Sequence, residues 1–161
     1  MSLPLPHILC VDDDNDWCDL LKLMLEQSGD EYKMTAVNSV RQALVLIENL
    51  PFDLYLLDYG LPDATGTELC RQIRQKDSDT PILFYSAMAR EIDRRMAIEA
   101  GATEYLVKPN DLERLTGTIN RLLNDSCQSN PCGYGADYLQ RSEARKSENS
   151  PESESNYDCL Y

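Results

Sequence analysis

The sequence predicts a doubly wound α/β fold of the (βα)5 type, a parallel sheet between two layers of helices. Three observations carry this. Short continuous apolar runs bounded by polar or turn residues recur through residues 8–107, the pattern of strands buried on both faces. Segments with helical apolar spacing separate them. The central runs also end on a carboxylate, hydroxyl or ammonium side chain.

The first run is Ile8-Leu9-Cys10-Val11. Trp17, Leu20, Leu21, Met24 and Leu25 then recur at helical spacing up to Gly29, a residue type favoured just past a helix end. Tyr32 to Val37 is a weaker strand candidate that completes a set of five. Ser39 is placed to cap a helix whose apolar face is Val40, Ala43, Leu44 and Ile47 and which ends before Pro51. The run 54–57 predicts the third strand, 82–85 the fourth and 105–107 the fifth, with shorter helices over Thr67 to Arg74 and Arg90 to Ala100. In the last helix Asn110 is the expected N-cap with Glu113 at the third helical position, and Leu112, Leu115, Ile119, Leu122 and Leu123 form the stripe. After Leu123 apolar periodicity disappears and Pro131 and Pro151 interrupt the chain. This predicts a folded domain over 1–123 and an acidic, mostly disordered tail over 124–161, with a short helix over 136–146 as its one candidate element.

The formal net charge of −13 repels polyanions, so direct nucleic-acid binding is not expected. No apolar run approaches the roughly 20 residues that cross a bilayer. Residues 1–7 lack a basic start and carry Pro4 and Pro6, so no signal peptide and a cytoplasmic location are expected. The six cysteines form no Cys-x-x-Cys pair and predict free thiols rather than a zinc site or disulfide framework. His7, the only histidine, is expected to be structural.

Asp12, Asp13 and Asp14 follow the first run, Asp58 the third, Ser86 the fourth and Lys108 the fifth. Parallel strands end along one sheet edge, where open α/β folds bind ligands, so these six positions are expected to converge. Carboxylates packed together repel by about 1–4 kcal/mol per close pair and call for a cation. Mg²⁺ suits them, because it takes carboxylate oxygens and completes its octahedron with water and phosphate oxygens. With the ion bound, Asp58 is a candidate nucleophile toward phosphorus. Lys108 would add positive charge, and Ser86 a hydrogen bond to a phosphoryl oxygen.

The segments Ile8-Leu9-Cys10-Val11-Asp12-Asp13-Asp14, Asp58-Tyr59-Gly60-Leu61-Pro62-Asp63-Ala64-Thr65-Gly66, Phe84-Tyr85-Ser86-Ala87, Gly101-Ala102 and Tyr105-Leu106-Val107-Lys108-Pro109 together resemble the response-regulator receiver family of two-component signalling, over residues 7–123. The resemblance implies a flavodoxin-like sheet of order 2-1-3-4-5, and Asp58 as the phospho-acceptor. It implies Asp13 as a direct Mg²⁺ ligand, Asp12 as its acidic partner and the Gly60 carbonyl as a further ligand. Ser86 and Lys108 would grip the phosphoryl group, and a cis peptide would precede Pro109. Tyr105 is implied as an aromatic switch that moves inward as Ser86 is drawn to phosphate. The implied responsive surface is the last two helices and the strand between them, including Arg90, Arg94, Arg95, Tyr105 and Val107. The implied partners are a histidine kinase or histidine phosphotransfer protein; the segment 124–161 is too short, acidic and polar for a helix-turn-helix or catalytic domain, so a stand-alone receiver acting on a separate downstream effector is expected.

Gly60 and Met88 depart from many receivers, at positions that flank the path of attacking water. The expectation is that Met88 slows hydrolysis while Gly60 neither positions nor blocks water. Taken singly, each feature has a plainer reading: an acidic run as solvated surface, Asp58 or Ser86 as a cap, Lys108 as a loop cation, Tyr105 as packing. Two other functions use similar parts. A haloacid-dehalogenase-type phosphatase needs a second aspartate where Gly60 stands, and a phosphorylation-independent module usually lacks an acidic residue or the lysine, which are all present here.

Overall fold

The computed structural model describes residues 5–29 and 31–129, with side chains to 126. The elements are β1 (His7–Val11), α1 (Asn15–Gln27), β2 (Lys33–Val37), α2 (Val40–Asn49), β3 (Leu54–Leu57), α3 (Gly66–Lys76), β4 (Ile82–Ser86), α4 (Glu91–Ala100), β5 (Glu104–Val107) and α5 (Leu112–Ser129). All strand pairs are parallel, in the order β2-β1-β3-β4-β5. The sheet order implied by the resemblance is therefore the observed one.

Strict alternation along β1 divides the core in two. Leu9 and Val11 join Val40, Ala43, Leu69, Ile73 and Ala97 on the α2-α3-α4 side. Ile8 and Cys10 join Cys18, Leu21, Leu25, Leu115 and Ile119 on the α1-α5 side. A strand covered on both faces must be apolar at every position, which is why the central runs are continuous. β2 lies at an edge and is only partly covered, which accounts for its weaker signal.

Local chemistry sets the boundaries. Gly29, just past α1, has φ 82°, and Gly101, ending α4, has φ 112°, backbone that L side chains rarely adopt. Ser39 accepts from the Gln42 amide at the start of α2, as expected. α3 begins earlier than the expected 67, because Thr65 and Glu68 form a reciprocal capping box.

Two expectations need correction. α5 begins at Leu112, so Asn110 lies in the preceding turn and Asp111 stands next to the helix. The Asp111 carboxylate accepts from the Val107 amide at 2.9 Å and pairs with Arg114, closing the turn that the cis Lys108–Pro109 peptide opens. α5 also continues past 123 to Ser129, with the Ser126 hydroxyl donating to the Leu122 carbonyl, so the change in composition at 124 is not the helix end. The candidate helix over 136–146 lies outside the described residues, as do Cys132 and Cys159, and the Cys127 side chain is likewise not described.

Cys10, Cys18 and Cys70 are free and buried. His7 is structural: its ring bonds the Thr35 hydroxyl at 2.8 Å and packs 4.4 Å from Phe52. Among the described residues no helix is long and apolar enough to cross a membrane. Truncating Leu57, which is fully buried, is expected to lower the unfolding free energy by about 2–5 kcal/mol in urea titrations. Leu23→Ala, at a position 54% exposed, is expected to change it by less than about 0.5 kcal/mol.

Candidate functional site

The sheet's pairing continues one residue past its strands and fixes the functional positions. The Asp12 amide donates to the Val37 carbonyl at 3.0 Å, the Asp58 amide to Val11 at 2.9 Å and the Lys108 amide to Ser86 at 2.9 Å. Asp12, Asp58, Ser86 and Lys108 therefore line the carboxyl edge of the sheet. Asp12 and Asp58 flank the boundary between β1 and β3, where successive connections leave in opposite directions and open a crevice.

The loop after Asp58 returns beneath it. The Gly66 amide donates to the Tyr59 carbonyl at 2.8 Å, and Gly60 pairs with Thr65 in an isolated bridge. A Cβ on Gly66 would stand 2.1 Å from the Asp58 carbonyl oxygen, so this approach requires glycine. Asp63 accepts from the Val40 and Arg41 amides, each at 2.9 Å, and ties the loop to the start of α2.

Carboxylate oxygens of Asp12, Asp13 and Asp58 lie within 4.8 Å of one another. Asp12 is buried, Asp58 half-buried and Asp13 exposed. Burial pushes the Asp12 carboxyl up, while hydrogen bonds from Lys108 and the Asp14 amide pull it back down. The Lys108 ammonium ion-pairs with Asp12. Oxygen donors of this hardness, in mutual repulsion and partly open to solvent, fit Mg²⁺. The same chemistry suits no soft metal, since the nearest thiols, Cys10 and Cys18, are buried against each other with sulfurs 3.8 Å apart.

Ser86 is buried, and its hydroxyl oxygen accepts from the Tyr59 and Met88 amides, both at 3.4 Å. Tyr105 stacks on Phe84 with centroids 5.7 Å apart, and its hydroxyl donates to the Met88 carbonyl at 2.6 Å. Burial pushes its phenol up to about 12, so it remains a donor at neutral pH. The Met88 side chain is 43% exposed.

The structure brings together Asp12, Asp13, Asp58, Ser86 and Lys108 at one edge, but not all six expected groups. Asp14 turns away: its carboxylate caps α1 by accepting from the Trp17 amide at 3.0 Å. Three aspartates in a row do not reveal which one starts a helix. Tyr105 is buried rather than part of an exposed face. Arg90 is engaged by Asp93 through two bonds of 2.8 Å, and Arg95 pairs with Glu99. Sequence reasoning missed Asp63, although an aspartate in a turn is a common cap, and it missed the rings of Trp17 and Tyr85 beside Lys108.

A Mg²⁺ ion held by this cluster would compete with the Lys108 ammonium for the Asp12 carboxylate. Calorimetric Mg²⁺ titration is expected to show affinity reduced by about tenfold or more in Asp13→Asn. Lys108→Met is expected to bind the ion more tightly than the native chain, since a competing charge has gone.

Residues 8–120 match the response regulator receiver domain family. Response regulator ArlR of Staphylococcus epidermidis is 36% identical over 117 residues, which cover 73% of this chain and 52% of ArlR. A probable transcriptional regulatory protein of a Picosynechococcus species is 36% identical over 124 residues, 73% of this chain and 49% of that protein. The chain thus spans about half the length of these curated relatives. Among solved structures, a CheY-like response regulator receiver domain protein from Methanospirillum hungatei superposes with a TM-score of 0.73 at 30% identity, covering 79% of this chain and 100% of that one. The non-phosphorylated HemR receiver domain of Leptospira biflexa gives 0.66 at 35% identity, over 73% and 94% of the two chains. The BeF3-activated DrrB receiver domain gives 0.67 at 26% identity, over 74% and 98%. With its strand order, its strand-end acidic cluster and this run of similarity in agreement, the chain belongs to the response regulator receiver domain family.

Proposed function

We propose that the chain is a cytoplasmic, Mg²⁺-dependent phospho-accepting switch, with Asp58 as the acceptor and a histidine kinase or histidine phosphotransfer protein as the donor. The observation that carries this reading is the meeting of Asp12, Asp13 and Asp58 with Lys108 at the β1–β3 boundary. An Asp58 carboxylate oxygen forms a bond to phosphorus as the bond to the donor's leaving group breaks, giving an acyl phosphate. Mg²⁺, held by Asp12, Asp13, Asp58 and the Gly60 carbonyl, would supply positive charge to the phosphoryl oxygens. Lys108 meets a second oxygen, and Ser86 donates its hydroxyl proton to a third. The similarity to a BeF3-activated receiver domain supports this choice of ligand chemistry, since beryllofluoride mimics a phosphoryl group.

Phosphorylation adds about −1.5 to −2 charge to a pocket that already holds three carboxylates, so it redistributes the contacts of Ser86 and Lys108. Ser86, drawn toward the phosphoryl group, changes its hydrogen bonds to the Tyr59 and Met88 amides. The Met88 carbonyl is also the partner of Tyr105, which links the pocket to β5 and the start of α4. The face formed by α4, β5 and α5, with Arg90, Arg94, Arg95 and Val107, then changes its affinity for a separate effector protein. In this reading the receiver domain takes in the whole of α5, to Ser129, and the segment beyond it is an acidic extension.

Incubation with acetyl phosphate and Mg²⁺ followed by intact-mass analysis is expected to add one phosphoryl group. Omitting Mg²⁺ or substituting Asp58→Asn should abolish the gain; persistence in Asp58→Asn would refute the assignment. Met88, exposed beside Ser86, is proposed to slow hydrolysis by limiting water access. Met88→Glu or Met88→Lys should therefore lose the phosphoryl group faster than the native chain, and an unchanged decay rate would exclude that role.

A further inference from the structure

Lys108 is held by more than its ion pair. Its ammonium lies 5.4 Å from the Trp17 ring centroid and 5.6 Å from that of Tyr85, and the two rings pack 4.8 Å apart with a 36° tilt. Trp17, the only tryptophan in the chain, stands in the first turn of α1, where Asp14 caps its amide. Tyr85 is buried in β4, one residue before Ser86. The rings therefore come from two elements that border the acidic cluster. Ring faces attract an ammonium within about 6 Å of the centroid, and more strongly where water is excluded. The Lys108 side chain is only 19% exposed.

The ion pair alone is a poor anchor for this lysine in a metal-dependent reaction. A divalent cation held by Asp12, Asp13 and Asp58 would share the Asp12 carboxylate and weaken its pair with Lys108. The ammonium, on a flexible four-carbon stem, would then be held less firmly near Asp58. The two rings are unaffected by the exchange. They are also neutral, so they hold the ammonium without cancelling the charge that a phosphoryl oxygen needs.

We propose that Trp17 and Tyr85 form an aromatic shelf that positions the Lys108 ammonium beside Asp58 after metal binding has taken its carboxylate partner. This assigns both rings as positioning residues, and it rests on the phospho-accepting function proposed above. It also gives a reason for aromatic residues at two positions where any apolar side chain would complete the α1-β4 packing.

The test uses the full chain, isotopically labelled, with NMR detection of the Lys108 ε-methylene group. Stacked above a ring face, these protons resonate upfield of those of the other lysines, both in the free chain and with Mg²⁺ and beryllofluoride added. Trp17→Leu is expected to remove much of that shift. Trp17→Phe, with a smaller ring current, should reduce it without abolishing it, and it reads the same contact if the leucine variant does not fold. Labelling by acetyl phosphate should slow by about threefold to tenfold in Trp17→Leu and stay near native in Trp17→Phe, with the Mg²⁺ midpoint unchanged in both. A merely structural role for Trp17 would instead move the Mg²⁺ midpoint and gain nothing from phenylalanine. Lys108 resonances at ordinary lysine positions in the native chain, or equal labelling rates in native and Trp17→Leu proteins, would overturn the proposal. If the native chain accepts no phosphoryl group, the phospho-accepting function fails and the Lys108 resonances alone decide whether the shelf exists.

Discussion

The structure turns on one electrostatic constraint: three carboxylates, one of them buried, are gathered at a sheet edge with a single lysine against them. Each close pair of negative charges costs about 1–4 kcal/mol, and burial makes the Asp12 charge costlier still. Lys108 offsets part of this. The remainder leaves the pocket favourable to added positive charge, so its three carboxylates suit a divalent ion. The phospho-accepting function proposed for Asp58 rests on that arrangement, in which a carboxylate stands where a bound ion would draw a phosphoryl group.

The rest of the fold holds that arrangement against its own repulsion. Backbone bonds to Val37, Val11 and Ser86 extend the sheet far enough to fix Asp12, Asp58 and Lys108. Gly66 lets the start of α3 close under the Asp58 carbonyl, and Asp63 fastens the same loop to α2. The apolar layers on both faces of the sheet supply the stability that such a strained cluster draws on. Charge is thus concentrated where the backbone is most firmly determined, whereas the exposed Arg95–Glu99 pair on α4 is cheaper to rearrange.

Much of this was legible in the sequence, for identifiable reasons. Strands covered on both faces have no polar alternation, so β1, β3 and β4 stood out, while the edge strand β2 was faint because half of it meets solvent. The polar residues ending those runs were visible for the same reason. Sheet order came from the resemblance to receivers and not from periodicity. Polar residues concealed the true extent of α5, where Asn124, Asp125 and Ser126 continue the helix without an apolar signal. The Thr65–Glu68 capping box was present in the sequence and passed over. Asp12 and Lys108 are 96 residues apart, and their pairing depends on sheet closure, so the rings of Trp17 and Tyr85 around the lysine were beyond local reading.

An acyl phosphate on aspartate is reduced by borohydride to homoserine, which marks the acceptor permanently in the peptide chain. Fragment sequencing of protein phosphorylated in the presence of Mg²⁺ and then reduced is the most direct test of the account. It predicts homoserine at position 58 and at no other aspartate. Homoserine at position 12 or 13, or phosphate retained on a histidine or tyrosine instead, would contradict it.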